Sequence, residues 1–109
     1  MKIEEIPKAE LEVMKVIWEN KEPVSSKIIT TKLEEVKGWK RVTTYTLLNR
    51  LTKKEIISTD KYRTYTLYSA NISREEYSIY ATKLYIKEMF DGNIQELKRI
   101  LDCIERVSK

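Results

Sequence analysis

The stretch VTTYTLLNRLTKK, residues 42–54, decides how the rest of the chain is read. Placed at about 100° per residue, Leu47, Leu48 and Leu51 fall within one arc, so an amphipathic helix is predicted from approximately Val42 to Lys54. Val42, Thr46, Asn49 and Lys53 point most directly away from that arc, with Tyr45 and Arg50 flanking them. Hydroxyls, an amide and cations gathered on one helical face suit base edges and phosphates.

Upstream, Ile6, Leu11, Met14, Ile17 and Trp18 recur at helical spacing behind Pro7, which a first helical turn tolerates. A helix from approximately Lys8 to Asn20 is predicted, with Met14 and Trp18 in the core. Glu22-Pro23-Val24 breaks it. Ser25 or Ser26 is placed to cap a second helix, approximately Ser26 to Val36, whose apolar stripe is Ile28, Ile29 and Leu33. Lys37-Gly38 supplies a turn, because Gly accepts the positive φ that ends many helices. Trp39 is expected to fill the gap between the second and third helices, and Thr43 or the residue before it to cap the third.

Downstream, Ile56 to Asp60 and Arg63 to Tyr68 are rich in strand formers, so a hairpin turning at Lys61-Tyr62 is predicted. Two short helices, an outward-facing third segment and a basic ribbon make a winged helix-turn-helix: mostly α with a small β-wing. The pattern Ser73-Arg74-Glu75-Glu76 then has the form of a capping box opening a long helix. Tyr77, Tyr80, Ala81, Leu84, Tyr85, Ile86, Met89 and Phe90 make that helix apolar on more than one side. Helical spacing favours packing over base stacking for the tyrosines. After Asp91-Gly92-Asn93, the residues Ile94, Leu97, Leu101 and Ile104 repeat at heptad-like positions, widened by Ile100 and Val107. These faces exceed what so small a domain covers, so a second protomer is expected to bury Tyr77, Tyr80, Leu84, Ile94, Leu97, Leu101 and Ile104, the alternative being that both helices fold back on the winged helix as ordinary core. The expected division is a DNA-binding domain over residues 1–71 and a helical dimerisation region over 72–109.

Charge follows the same division. The net charge of +4 is modest. Residues 37–63, however, carry eight Lys/Arg against two Asp/Glu, whereas residues 1–36 carry six against eight and residues 64–109 seven of each. A local surplus of six positive charges favours a polyanion and salt-dependent binding, although a basic run alone is also an ordinary solvated surface. Composition narrows the chemistry further. The chain has no His and a single Cys, so no Cys/His metal site and no intramolecular disulfide is expected, and no cofactor motif or serine-nucleophile motif occurs. Glu34-Glu35 and Glu75-Glu76 are adjacent in sequence and point in different helical directions, so neither forms an acid–base pair, and an enzyme is not expected. No apolar run approaches the roughly 18–20 residues that span a bilayer. The charged start Met1 to Glu5 does not resemble a signal peptide, so a cytoplasmic protein without a membrane partner is expected. Cys103, among Leu101, Ile104 and Val107, is expected to be a small buried apolar residue.

With these residues in view, the chain resembles the BlaI/MecI/CopY family of bacterial repressors, which includes the penicillinase repressors. The resemblance lies in Ile6 to Trp18, in Trp39, Thr43, Thr46 to Leu51 and Lys53-Lys54, and in Tyr65 to Tyr68. It implies a homodimeric winged-helix repressor on an inverted-repeat operator in double-stranded DNA. Thr43, Thr46 and Arg50 would contact DNA, with Lys53 and Lys54 near the backbone and Lys61 and Arg63 of the wing reaching phosphate or minor groove. The residues themselves add Arg41, Tyr45 and Asn49 to that surface. Val42 and Tyr45 stand where family members tend to carry basic residues, which implies a different operator. Asn20, Asn49, Asn71 and Asn93 are followed by Lys21, Arg50, Ile72 and Ile94. The Asn-Phe bond that sensor-dependent relatives offer for cleavage is therefore missing, and an upstream sensor stays unidentified. Cys103 alone does not reproduce the cysteine cluster of the copper-responsive branch. The alternative is a winged-helix interaction module that docks an acidic protein without reading DNA sequence.

Overall fold

A computed structural model describes residues 3–108, so Met1, Lys2 and Lys109 fall outside it, and with them the first two positions of the charged N-terminal segment. Pro7, with φ −56°, precedes α1 (Lys8–Glu19), and its carbonyl oxygen accepts the first helical bond from Leu11 N–H at 2.8 Å. The chain then runs through β1 (Val24–Ser25), α2 (Ser26–Lys37), α3 (Arg41–Lys53), β2 (Ile57–Tyr62), β3 (Tyr65–Ala70), α4 (Arg74–Phe90) and α5 (Ile94–Ser108). It forms two compact units, one ending at Arg74 and one beginning at Glu75.

In the first unit α1, α2 and α3 pack against one another, and α1 and α2 also pack on β3. Val13, Met14, Val16 and Ile17 of α1, Ile29 and Leu33 of α2, and Leu47, Leu48 and Leu51 of α3 are all buried. Burying a large aliphatic side chain stabilises by about 1.5–3 kcal/mol, so these positions hold the three helices together. Ser25 caps α2, its hydroxyl oxygen accepting from Ile28 N–H at 3.3 Å, and Gly38 ends the helix at φ 69°.

Several local expectations change. Ile28 is exposed, and Thr30 takes the inward place on α2 with its hydroxyl donating to the Lys27 carbonyl at 3.2 Å. A threonine that satisfies its own hydroxyl within the helix can sit inside without an unpaired polar atom. The third helix begins at Arg41 with Lys40 as its cap, and no side chain caps it. Thr44 is fully buried, so the inward arc runs Thr44, Leu47, Leu48, Leu51 and reaches one turn further back than the leucines alone indicate. Thr43 therefore lies within the helix. Trp39 is half-buried and, instead of filling a gap between α2 and α3, lines an open groove together with Lys37 and residues Lys8, Ala9, Leu11, Glu12 and Lys15 of α1.

The three strands form one antiparallel sheet in the order β1-β3-β2. Val24 pairs with Tyr68 and Ser25 with Leu67; on the other side the register runs from Ile57 opposite Ala70 to Tyr62 opposite Tyr65. The hairpin thus turns at Arg63-Thr64, two residues beyond the expected Lys61-Tyr62. Side chains alternate with a period of two, so sliding a turn by two residues leaves every side chain on its original face, and alternation cannot distinguish the registers. Arg63 takes φ 60° in this turn. Asn71 anchors the root of the wing: its N–H donates to the Ile56 carbonyl at 2.9 Å, its side-chain amide donates to the Glu55 carbonyl at 2.8 Å, and its carboxamide oxygen accepts from the Ser58 hydroxyl at 2.8 Å. Trp18 adds a bond from Nε1 to the Ile72 carbonyl at 3.0 Å, spanning 54 residues of sequence.

In the second unit, Tyr77 is buried and its ring lies 5.9 Å from that of Tyr80. α4 ends at Asp91 and Gly92, both at positive φ, and the Asn93 carboxamide oxygen accepts from Glu96 N–H at 3.2 Å to open α5. Arg99 hydrogen-bonds the Glu96 carboxylate and holds its pKa below the usual range. α5 contains no buried residue. Cys103 is accordingly exposed in the single chain, and its expected burial belongs to the interface helix expected to pair with a second protomer.

The end of α3 yields a stability test. Glu55 N–H bonds the Thr52 carbonyl and Ile56 N–H the Leu51 carbonyl, each at 3.0 Å, the pairing of a Schellman turn. The turn's left-handed residue is Glu55 at φ 62°, where a side chain is strained and glycine is not. Glu55→Gly is expected to stabilise the protein by about 1 kcal/mol, measured by urea unfolding; an unchanged or lower midpoint would remove strain at Glu55 as a factor.

Candidate nucleic-acid interface

With Thr44, Leu47, Leu48 and Leu51 turned inward, α3 exposes Arg41, Val42, Thr43, Tyr45, Thr46, Asn49, Arg50 and Lys53. Arg50 and Lys53 lie in its last turn, where cations also favour the helix dipole. Thr46 donates its hydroxyl to the Val42 carbonyl at 2.9 Å, which occupies its proton and leaves the oxygen to accept. Tyr45 is partly exposed. Its phenol is close enough to Tyr68 of β3 to reinforce what burial does first, which is to push the Tyr68 hydroxyl above its ordinary pKa.

The wing carries the remaining cations. Lys61 is exposed on β2, with its N–H bonded to the Asp60 carboxylate at 2.9 Å, and Arg63 stands at the tip. The Arg63 guanidinium lies 5.5 Å from the centre of the Tyr62 ring, a cation–π arrangement that orients the charge without neutralising it. Tyr62 and Tyr65 face each other across the hairpin, both more than half exposed, and sequence reasoning did not single them out for the interface. Their aromatic character was visible, but their place beside the tip depended on the register that alternation left open.

Lys54, expected near a phosphate backbone, forms an ion pair within the fold. Its ammonium is 2.7 Å from the Glu10 carboxylate of α1, and Glu10 is 3% exposed. The pair ties the end of α3 to α1 across 44 residues of sequence. Among the described residues, no group of three His, Cys, Asp or Glu is placed to hold a metal ion, and no helix is long and apolar enough to cross a membrane.

The family model for the penicillinase repressor matches residues 6–106. The chain belongs to the penicillinase repressor family. This is a family of transcriptional repressors and not of enzymes. A penicillinase repressor of Staphylococcus aureus is 33% identical over 93 residues, covering 85% of this chain and 73% of that protein. Among solved structures, the DNA-binding domain of the repressor BlaI superposes with a TM-score of 0.62 at 36% identity, covering 70% of this chain and 92% of that one. The monomeric form of Bacillus licheniformis BlaI in complex with the blaP half-operator gives a TM-score of 0.61 at the same identity and coverage. The winged helix-turn-helix read from residues 42–54 outward is therefore shown, with α3 following α1 and α2 and β2-β3 forming the wing.

Removing the Lys54 ammonium strands a carboxylate that is almost wholly buried. Lys54→Met is expected to destabilise the protein by about 1–3 kcal/mol in chemical denaturation, a range lowered because the lysine itself is partly solvated. A loss below a few tenths of a kcal/mol would show the pair to be dispensable.

Proposed function

We propose that this protein is a sequence-specific DNA-binding repressor that acts as a homodimer on an inverted-repeat operator, residues 1–71 reading DNA and residues 72–109 pairing the protomers. The observation that carries the reading is the exposed face of α3, where Thr43, Tyr45, Thr46 and Asn49 are bordered by Arg41, Arg50 and Lys53. In this arrangement cations supply affinity for any duplex, and each good base contact adds discrimination of about 1–3 kcal/mol. Lys61 and Arg63 bring the wing to the flanking backbone, while Lys54 serves the fold. The half-operator complex of BlaI, at 36% identity, supports one α3 per half-site.

Pairing is supported by α5. In its stripe of Ile94, Leu97, Leu101 and Ile104 none is fully buried, and Ile94, Leu101 and Ile104 are each more than half exposed. Apolar residues repeated at this spacing fit a second copy of the same helix, a symmetric contact that matches an inverted repeat. On α4, Tyr80 and Leu84 are half-buried and Ile79, Tyr85 and Met89 exposed, which leaves further apolar surface for the same purpose. Two protomers would then set their recognition helices roughly 34–36 Å apart, one turn of duplex.

Selection of bound duplexes from a random pool tests the reading directly. A palindromic consensus is expected; absence of any preferred duplex over competitor would favour an interaction module for acidic proteins instead. In the full chain, Leu101→Glu with Ile104→Glu is expected to give a monomer by light scattering and to lower affinity for the full operator at least tenfold. A dimer that persists would move the pairing surface elsewhere. Arg50→Ala is expected to weaken binding to every duplex and to reduce the slope of log affinity against log salt by about one. An unchanged slope takes Arg50 off the phosphate.

A further inference from the structure

The outward face of α3 begins with an apolar group. Val42 is 69% exposed, the most exposed large hydrophobic side chain of the first unit, and it lies between Arg41 and Thr43 in a helix bordered by cations. Within the first unit, as described, the valine is left largely to solvent. Its branched side chain lowers helix propensity, and its apolar surface stays in water. Thr46, one turn further along, has its hydroxyl proton engaged by the Val42 carbonyl, so what remains for a partner is a methyl group and an oxygen that can only accept. The start of the recognition face therefore presents two adjacent aliphatic groups where the surrounding positions present charge and hydrogen bonds.

A duplex offers one apolar group on the floor of its major groove, the C5-methyl of thymine. We infer that Val42, with the Thr46 methyl beside it, reads a thymine C5-methyl in each half of the operator. This rests on the DNA-reading function proposed above and specifies which base chemistry that face selects. The mechanism is mutual desolvation: the valine and the base methyl each leave water on contact, whereas cytosine carries only a hydrogen at C5 and gives the valine no methyl to meet. Arg50 and Lys53 contribute affinity without this discrimination, because phosphate is the same at every step of the duplex.

The test uses the full chain and a duplex it selects from a random pool. Thymines are replaced by deoxyuridine one symmetric pair at a time, which removes only the methyl groups and keeps every base pair. At one such pair the wild-type affinity is expected to fall about threefold to tenfold per half-site. Val42→Ala, which loses no buried contact and improves helix propensity, is expected to bind the thymine duplex more weakly and to treat thymine and uracil alike at that pair. Arg50→Ala is expected to bind more weakly yet keep the wild-type ratio of thymine to uracil. The inference is overturned if no thymine position responds, or if Val42→Ala retains the wild-type ratio. A selected duplex without thymine dependence overturns this inference alone; a pool with no preferred duplex overturns the repressor reading and this inference together.

Discussion

Burial of one side of α3 is the constraint on which the remainder depends. Thr44, Leu47, Leu48 and Leu51 occupy positions i, i+3, i+4 and i+7, and all four are at most 5% exposed. Three leucines at about 1.5–3 kcal/mol each fix the rotation of the helix about its own axis more firmly than any polar contact on its surface does. Once that rotation is fixed, the outward direction of Val42, Thr46, Asn49 and Lys53 follows from geometry. The core thereby sets which positions face outward and leaves their chemistry free to vary. The Glu10–Lys54 pair and the Schellman turn at Glu55 act at the end of the same helix, one tying it to α1 and the other directing the chain into β2.

The wing shows the converse arrangement, a fixed root and a free tip. A two-stranded hairpin is marginal by itself, and β1 adds a third strand, with Val24 opposite Tyr68, both buried. Asn71 and the Trp18 indole bond then hold the segment that leaves the sheet. Beyond Leu67 and Asp60 nothing in the first unit pairs with the outer edge of the hairpin, and Lys61 to Thr64 are all exposed. A cation at such a tip, steadied by the Tyr62 ring, can follow a phosphate backbone without disturbing the core.

What the sequence made legible was whatever depends on local periodicity. The leucine arc, the order of the helices, the Gly38 turn and the surplus charge of residues 37–63 each follow from neighbours within a turn or two. What it hid depends on distant residues or on symmetric alternatives. Lys54 belongs to a run of cations, and only folding brings Glu10 to it across 44 residues. Ile28 is more apolar than Thr30, yet Thr30 can bond its own helix and is turned inward with Ile29 and Leu33. β1 has two residues, too few for any periodic signal, and exists because β3 offers it an edge. The position of the hairpin turn was undetermined for the reason of parity already given, and with it the surroundings of Tyr62 and Tyr65.

The two units rely on different forces, and that difference bears on how the proposed repressor would work. Residues 37–63 carry the surplus of positive charge, so contact with DNA draws on counterion release and weakens with salt. Residues 64–109 hold equal numbers of acidic and basic residues, and the largely exposed stripe of α5 is aliphatic, so the proposed pairing would depend on apolar burial that salt does not screen. Ionic strength would therefore act on one equilibrium and largely spare the other. A preformed dimer would also convert the second half-site contact into an intramolecular event, so two modest recognition faces would gain affinity without a larger cationic surface on either. Affinity for any duplex would come from the cations of residues 37–63, and discrimination would then fall to the few side chains that α3 presents outward.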